Sequence, residues 1–257
     1  MSARGMHPDQ PDDDVIGLVV ALPAEARSVG ARGVHPGTCA RWAQGWVAVS
    51  GIGHHKATCA AERLLACGVT RFANWGVAGA LDASLVPGDV MVPERVLYSI
   101  DDRQGFATDP HGCARLLERL SVGIEVRRGT LWSAEQPVAT RADKHAIAEC
   151  TGAVAVDMEA AAVAAVAARA KLPFVAVKAI CDPFERELPE RIVHALGAEG
   201  GFSLDMLSAI AFGGPATWRA VRELARDFSR ARQALAAASR LANPGARVAS
   251  AVQAPAT

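Results

Sequence analysis

Apolar and polar positions along this chain follow two rhythms. Short continuous runs of β-branched and small apolar residues are each cut off by glycine, proline or an acid, and stretches with three- and four-residue apolar spacing lie between them. Val15–Ala21 is the first run, ending at Leu22–Pro23. Trp46–Ser50 is the second and breaks at Gly51-Ile52-Gly53, and Phe72–Val77 is the third, with Gly76 and Gly79 at its end. Val90–Val92, Val96–Ile100, Gly129–Ser133, Ala153–Val156 and Phe174–Ile180 continue the series, and all eight runs predict strands. Helical spacing occupies 54–67, through Ala57, Ala61, Leu64 and Leu65, and again Glu159–Ala170. Continuous apolar strands alternating with helices are covered on both faces. This predicts a single α/β domain over 15–242, a three-layer α/β/α arrangement with a central mixed, mostly parallel sheet.

Ligands of such sheets sit beyond the carboxyl ends of the strands. Polar and glycine residues gather at those ends here: Glu25, Gly51–Gly53, Gly76–Gly79, Asp157–Glu159 and Asp182. After Gly213-Gly214-Pro215 the pattern changes. Residues 216–242 carry an amphipathic stripe of Trp218, Val221, Ala225, Phe228, Ala231, Leu235 and Ala238. The other face presents Arg219, Arg222, Arg226, Arg230, Arg232 and Arg240 against Glu223 and Asp227, a local excess of +4. Residues 1–14 and 243–257 read as disordered tails, and there is no internal repeat.

Composition narrows the function. The 257 residues hold 27 basic and 27 acidic side chains, so the chain lacks the cationic excess of a general nucleic-acid binder. A hydrophobic content of 51% rules out wholesale disorder. The first fourteen residues contain no apolar stretch suited to a secretory signal. The longest Ala/Val run, Ala160–Ala168, is far shorter than the ~20 residues of a membrane-spanning helix. Cys39, Cys59, Cys67, Cys113, Cys150 and Cys181 form no C-x-x-C pair, which predicts free, mostly buried thiols in a reducing cytoplasm and no metal site.

Three segments carry a specific resemblance: Ala48–Ala57 (AVSGIGHHKA), Asn74–Pro93 (NWGVAGALDASLVPGDVMVP), and Val154–Ala167 (VAVDMEAAAVAAVA) followed by Pro173–Asp182 (PFVAVKAICD). Together they resemble the nucleoside phosphorylase superfamily, which includes the methylthioadenosine/S-adenosylhomocysteine nucleosidases, over roughly residues 15–210. ALPAEAR at Ala21–Arg27, ALGAEGGF at 195–202 and the Arg-rich helix look like its hopanoid-associated phosphorylase subgroup. The resemblance implies cleavage of a ribosyl C–N bond, with adenine leaving a 5′-substituted adenosine such as adenosylhopane. It implies no metal or redox cofactor, with phosphate as the one alternative co-substrate, and a homo-oligomer.

The transition state of that reaction resembles an oxocarbenium ion with a departing purine. It calls for an acid on the leaving base, stabilisation of the positive sugar and a positioned nucleophile. By resemblance Asp182 is the leaving-group acid, Glu25 activates water, and Glu159 and Met158 hold the ribose. Ile52, Val77, Ala78, Gly79 and Asp157 line the substrate, and backbone groups at Val138 hold the purine, with Pro137 where the nucleosidases stack an aromatic ring. Arg27 is the candidate for a phosphate.

Each residue also has an ordinary reading. Asp182 before Pro183 caps a turn, Glu159 complements a helix N-terminus, Asp157 caps the helix, and Glu25, Arg27, His54 and His55 lie on the surface. Val77 and Asn74-Trp75 stand where phosphorylases place a serine and an arginine, which favours hydrolysis. Lys56, where a dinucleotide fingerprint has its third glycine, argues against an NAD-binding protein. Three rivals stay open: phosphorolysis, methylthioadenosine/S-adenosylhomocysteine hydrolysis, and a non-catalytic nucleoside-binding protein. The Arg-rich helix has a second reading as a peripheral contact with an anionic membrane face.

Overall fold

The structure is a computed structural model, and it describes residues 14–43, 45–99, 105–187 and 214–242. Both expected tails, apart from Asp14, and the 195–202 segment lie outside the described residues. Asp14 itself is tied to Arg71 by a 2.7 Å ion pair.

Among the described residues eleven strands form one sheet. In chain order they are β1 (Ile16–Val20), β2 (Thr38–Trp42), β3 (Gly45–Val49), β4 (Arg71–Ala80), β5 (Val90–Met91), β6 (Arg95–Leu97), β7 (Gly105–Ala107), β8 (Val126–Arg127), β9 (Thr130–Ser133), β10 (Ala153–Asp157) and β11 (Phe174–Asp182). Six helices accompany them among the described residues: α1 (Pro23–Ser28), α2 (His54–Ala66), α3 (Pro110–Leu120), α4 (Arg141–Thr151), α5 (Ala160–Ala170) and α6 (Gly214–Ala242). The main path runs β2-β3-β1-β4-β10-β9-β6-β7, and β11 joins the other edge of β4 and leads to β5 and β8. Parallel pairing holds the centre, with β1 against β3 and β4, and β4 against β11. Antiparallel pairs close the periphery and join β10 to β4. The sheet is mixed and mostly parallel, with helical layers on both faces, as the apolar runs predict.

One face packs Val19, Ala48, Phe72 and Ile180 against α2 and α5. Helix α5 is nearly all alanine and valine, and seven of its residues are buried, so its backbone lies close on the sheet. The other face packs Leu18, Val20, Trp75 and Val177 against α1, α3 and α6.

Strand β4 opens the sheet where chemistry can enter. On one edge β11 accompanies it from Phe72 to Gly79. On the opposite edge β1 covers Arg71–Asn74, and β10 covers only Gly79 and Ala80. Among the described residues, Trp75–Ala78 are therefore left without a strand on that edge, at the carboxyl ends of β1 and β4. At the other end of the same strands a cavity of about 150 Å³ lies among Leu18, Trp42, Phe72 and Val175, and none of the acids discussed below lines it.

Several expectations change. The run Val96–Ile100 contracts to β6, with Ile100 outside the described residues, and α6 begins at Gly214. Helices α3 and α4 and strands β2, β7 and β8 have no counterpart in the sequence reading; they are polar or only two to five residues long where they are strands. On α6, Ala231, Leu235 and Ala238 are buried as the stripe requires, whereas Ala225 is exposed. Asp227, assigned to the solvated face, is buried because Arg186 reaches it from the turn after β11. The six cysteines are free, but only Cys113 is buried. Among the described residues no helix is long and apolar enough to cross a membrane.

Candidate active site

The open stretch of β4 dictates its own neighbours. Val77 has a backbone N–H with no strand partner on that edge, and a buried donor of this kind must be satisfied. Oε1 of Glu25 accepts it at 2.9 Å. Oε2 accepts from Ala21 and Leu22, both at 2.9 Å, so the side chain folds back over the first turn of α1. Gly76 makes the approach possible, because a Cβ there would stand 2.8 Å from Oε1 of Glu25. Glu25 is consequently buried at 1% exposure, not a solvated helix acid. Burial pushes its carboxyl above the ordinary range, against the pull of the Val77 N–H and of Lys178.

Glu159 arrives from the start of α5, whose N-cap it is. Its Oε1 accepts the backbone N–H of Gly53 at 2.7 Å. Gly53 holds φ at +104°, a conformation natural to glycine, as the chain turns from β3 into α2. Burial, with Asp157 adding to it, raises the Glu159 carboxyl to about 7. Asp157 caps α5 through the Ala160 N–H at 2.9 Å, and the same Oδ2 receives Lys178 Nζ at 2.6 Å.

Lys178 is the residue the sequence reading missed. It stands mid-way along β11 with 1% exposure, the one charged residue in an otherwise apolar strand segment, FVAVKAI. That isolation was the available signal, since a lysine in a doubly covered strand must find an acid. Burial works to lower its ammonium, but Asp157, Glu159 and Glu25 outweigh it and hold it above the ordinary lysine range. Three buried carboxyls thus surround one buried cation, and Glu159 carries the resulting excess as a raised affinity for a proton.

Asp182 ends the same strand. Its Cα partner on β4 is Gly79, two residues beyond Val77, about 7 Å along the strand. The carboxyl lies 8% exposed, and a Cβ on Gly79 would meet its Oδ2 at 3.5 Å. Oδ2 receives Lys144 Nζ from α4 at 2.6 Å, and Oδ1 is buried with no hydrogen-bond partner. Burial raises this carboxyl above the ordinary range, against the pull of Lys144 and Arg186. Cys181 beside it is pushed up to about 12 by burial, with Asp182 and Glu25 adding to the effect, so it stays a thiol.

The other expected residues divide. Ile52, Met158, Val77 and Gly79 are partly exposed and Ala78 is buried, all at the same strand ends. Val138 follows the end of β9, its side chain packed with Leu81, Trp132 and Val156. Arg27 is not brought to the acids: two positions beyond Glu25 on α1 it points away, and it is exposed. His54 and His55 are exposed at the start of α2. What the geometry assembles is a group of buried carboxyls at the carboxyl ends of the strands.

Comparison with known proteins agrees with the architecture. The phosphorylase superfamily profile matches residues 16–199. The S-adenosylhomocysteine nucleosidase of Streptococcus pyogenes, solved with 5-methylthiotubericidin, superposes with a TM-score of 0.63 at 19% identity, covering 88% of this chain and 95% of that one. A mutant of the Helicobacter pylori 5′-methylthioadenosine/S-adenosylhomocysteine nucleosidase, with 5′-methylthioadenosine in its active site, gives 0.62 at 21% identity, covering 77% and 98%. The Helicobacter pylori futalosine hydrolase gives 0.62 at 20%, covering 88% and 97%.

Proposed function

The chain belongs to the phosphorylase superfamily, whose enzymes break N-glycosyl bonds, and from that premise we propose that it releases adenine from a 5′-substituted adenosine by hydrolysis. The observation that carries the reading is the grouping of these buried carboxyls around a single buried cation. Glu25, Asp157 and Glu159 share one buried counter-ion, Lys178, so once both glutamates are ionised the protein holds more negative than positive charge where a ribosyl cation would form. Such preorganised charge stabilises a developing cation without rearrangement during the reaction. Glu159 faces the sugar with Met158 beneath the ring. Glu25 retains one lone-pair direction on Oε1 for a water, since three backbone donors occupy the rest of its ordinary capacity. Asp182, raised by burial, delivers a proton to the five-membered ring of the base.

Water is favoured over phosphate as the acceptor because Arg27 points away from the acids and Val77 offers no hydroxyl. We take adenosylhopane as the substrate on the strength of the ALPAEAR opening and the arginine face of α6, where Arg219, Arg222, Arg226, Arg230 and Arg240 are exposed. A lipid-linked substrate would draw this cytoplasmic protein to an anionic membrane surface, and a homo-oligomer is its expected working form. Adenine release from adenosylhopane, methylthioadenosine and inosine, each with and without phosphate, tests the whole assignment. Asp182→Asn should lower adenine release about 10²–10⁴-fold with folding retained. An unchanged rate removes Asp182 from the mechanism, and activity confined to the small nucleosides removes the hopanoid substrate.

A further inference from the structure

Lys144 has no part in the reaction just described, yet it is as buried as any residue of the protein, at 0% exposure. Its neighbours on α4, Arg141, Ala142, Asp143, His145 and Ala146, are all exposed. A lysine on so polar a helix would ordinarily stay in water, because burial costs it both hydration and side-chain freedom. It turns inward to three acceptors: Oδ2 of Asp182 at 2.6 Å, the Pro183 carbonyl at 2.9 Å and the Arg186 carbonyl at 3.0 Å. An ammonium has three protons, and each is used.

The consequence for Asp182 is asymmetry. Oδ2 is held by a cation, whereas Oδ1 is buried and accepts no hydrogen bond, with Arg186 Nη1 standing off at 3.8 Å. The two carbonyls that Lys144 also grips belong to the turn immediately after Asp182, so strand end and turn are fixed by one side chain.

We propose that Lys144 is a positioning residue for the leaving-group acid: it pins Oδ2 of Asp182, reserves Oδ1 for the transferable proton, and balances the carboxylate that remains once the proton has gone. The proposal rests on the reading of Asp182 as that acid. In the step, the O–H bond at Oδ1 breaks and an N–H bond forms on the five-membered ring of the purine. The electron pair of the ribosyl C–N bond passes to the departing base. Asp182 finishes as a carboxylate already paired with the Lys144 ammonium, which keeps all its protons. Among the described residues, the titratable and charged groups facing Asp182 are Lys144 from α4, the adjacent Cys181 thiol, Arg186 from the turn and, through Arg186, Asp227 from α6, so removing Lys144 leaves a weaker and more distant cation.

A general acid works while protonated, so the rate falls as pH rises through its pKa. Without Lys144 the proton is held more tightly, and the alkaline limb must move upward. For Lys144→Met, kcat for adenine release from methylthioadenosine should show that limb shifted up by about one pH unit or more. The plateau should fall about 10-fold or more, because the carboxylate left behind is unbalanced. Lys144→Arg, which restores the charge, should return the limb close to its native place. Should Lys144→Met fail to fold, Lys144→Gln asks the same question with similar length and a remaining N–H donor. A folded neutral variant that loses rate equally at every pH, with its limb unmoved, overturns the proposal while the reading of Asp182 stands. Asp182→Asn with a native rate overturns that reading itself.

Discussion

At the scale of single residues, the site is organised by what a buried carboxyl must have around it. Glu25 satisfies three backbone donors, and its approach depends on the missing side chain of Gly76. Gly76→Ala should therefore push the carboxylate off Val77, leaving a buried N–H unpaired. We expect a loss of about 1–3 kcal/mol in urea unfolding together with a fall in kcat. Glu159 gives a pH signature. Its folded carboxyl is raised to about 7 from an ordinary value of 4.5, so between those values the folded state binds a proton that the unfolded chain has lost. Its contribution to stability is fully present below about 4.5 and disappears as pH rises through about 7, a total of roughly 3 kcal/mol. Urea midpoints measured from pH 5 to 8 should fall more steeply for the native protein than for Glu159→Gln, and equal slopes would contradict the assignment. Ionised Glu159 is also the form that stabilises a sugar cation, so the acid limb of kcat should centre near 7 and vanish in the same variant.

At the scale of elements, the central strands were legible because burial on both faces demands unbroken β-branched runs, and β1, β3, β4, β10 and β11 follow those runs to within a few residues. The strand-end rule then located Glu25, Asp157, Glu159 and Asp182 together. The two lysines were not legible in the same way. Lys178 left a trace as a lone charge in β11, but Lys144 sits in a helix whose sequence reads as solvated, and only the fold reveals the acceptors inside. The polar helix α3 and short strands β7 and β8 escaped for a related reason: they take their place from neighbours already in the sheet, not from a period of their own. Asp227 shows the same limit on α6. Its partner Arg186 lies 41 residues away, and the Arg186 guanidinium overcomes the upward push of burial to hold the Asp227 carboxyl below its usual range. Asp227→Ala should free Arg186 and loosen the turn whose carbonyls Lys144 holds, lowering stability by about 2 kcal/mol. KM for methylthioadenosine should rise with it. A variant with native stability and native KM would show that α6 does not brace the site.

At the scale of the whole molecule, the question is how a compact α/β protein would meet a lipid-linked substrate. An interfacial amphipathic helix buries its apolar face in the headgroup boundary. Helix α6 cannot do so along its described apolar stripe, because Ala231, Leu235 and Ala238 are buried against the sheet with Trp75 and Val177. What faces outward is a row of arginines, so membrane attraction through α6 would be electrostatic, on the order of 1 kcal/mol per arginine near an anionic surface and lost within a Debye length. The expected behaviour is specific: cosedimentation with phosphatidylserine vesicles at low salt, release by about 0.5 M salt as screening tightens, and no binding to neutral phosphatidylcholine vesicles. Arg219→Glu combined with Arg222→Glu, both exposed, should abolish the binding and leave turnover of soluble methylthioadenosine unchanged. Turnover of adenosylhopane presented in anionic vesicles should fall in that variant, because only the delivery of substrate has been lost. Equal loss on both substrates would mean that the arginine face serves the fold, and binding that survives high salt would mean that an apolar surface makes the contact.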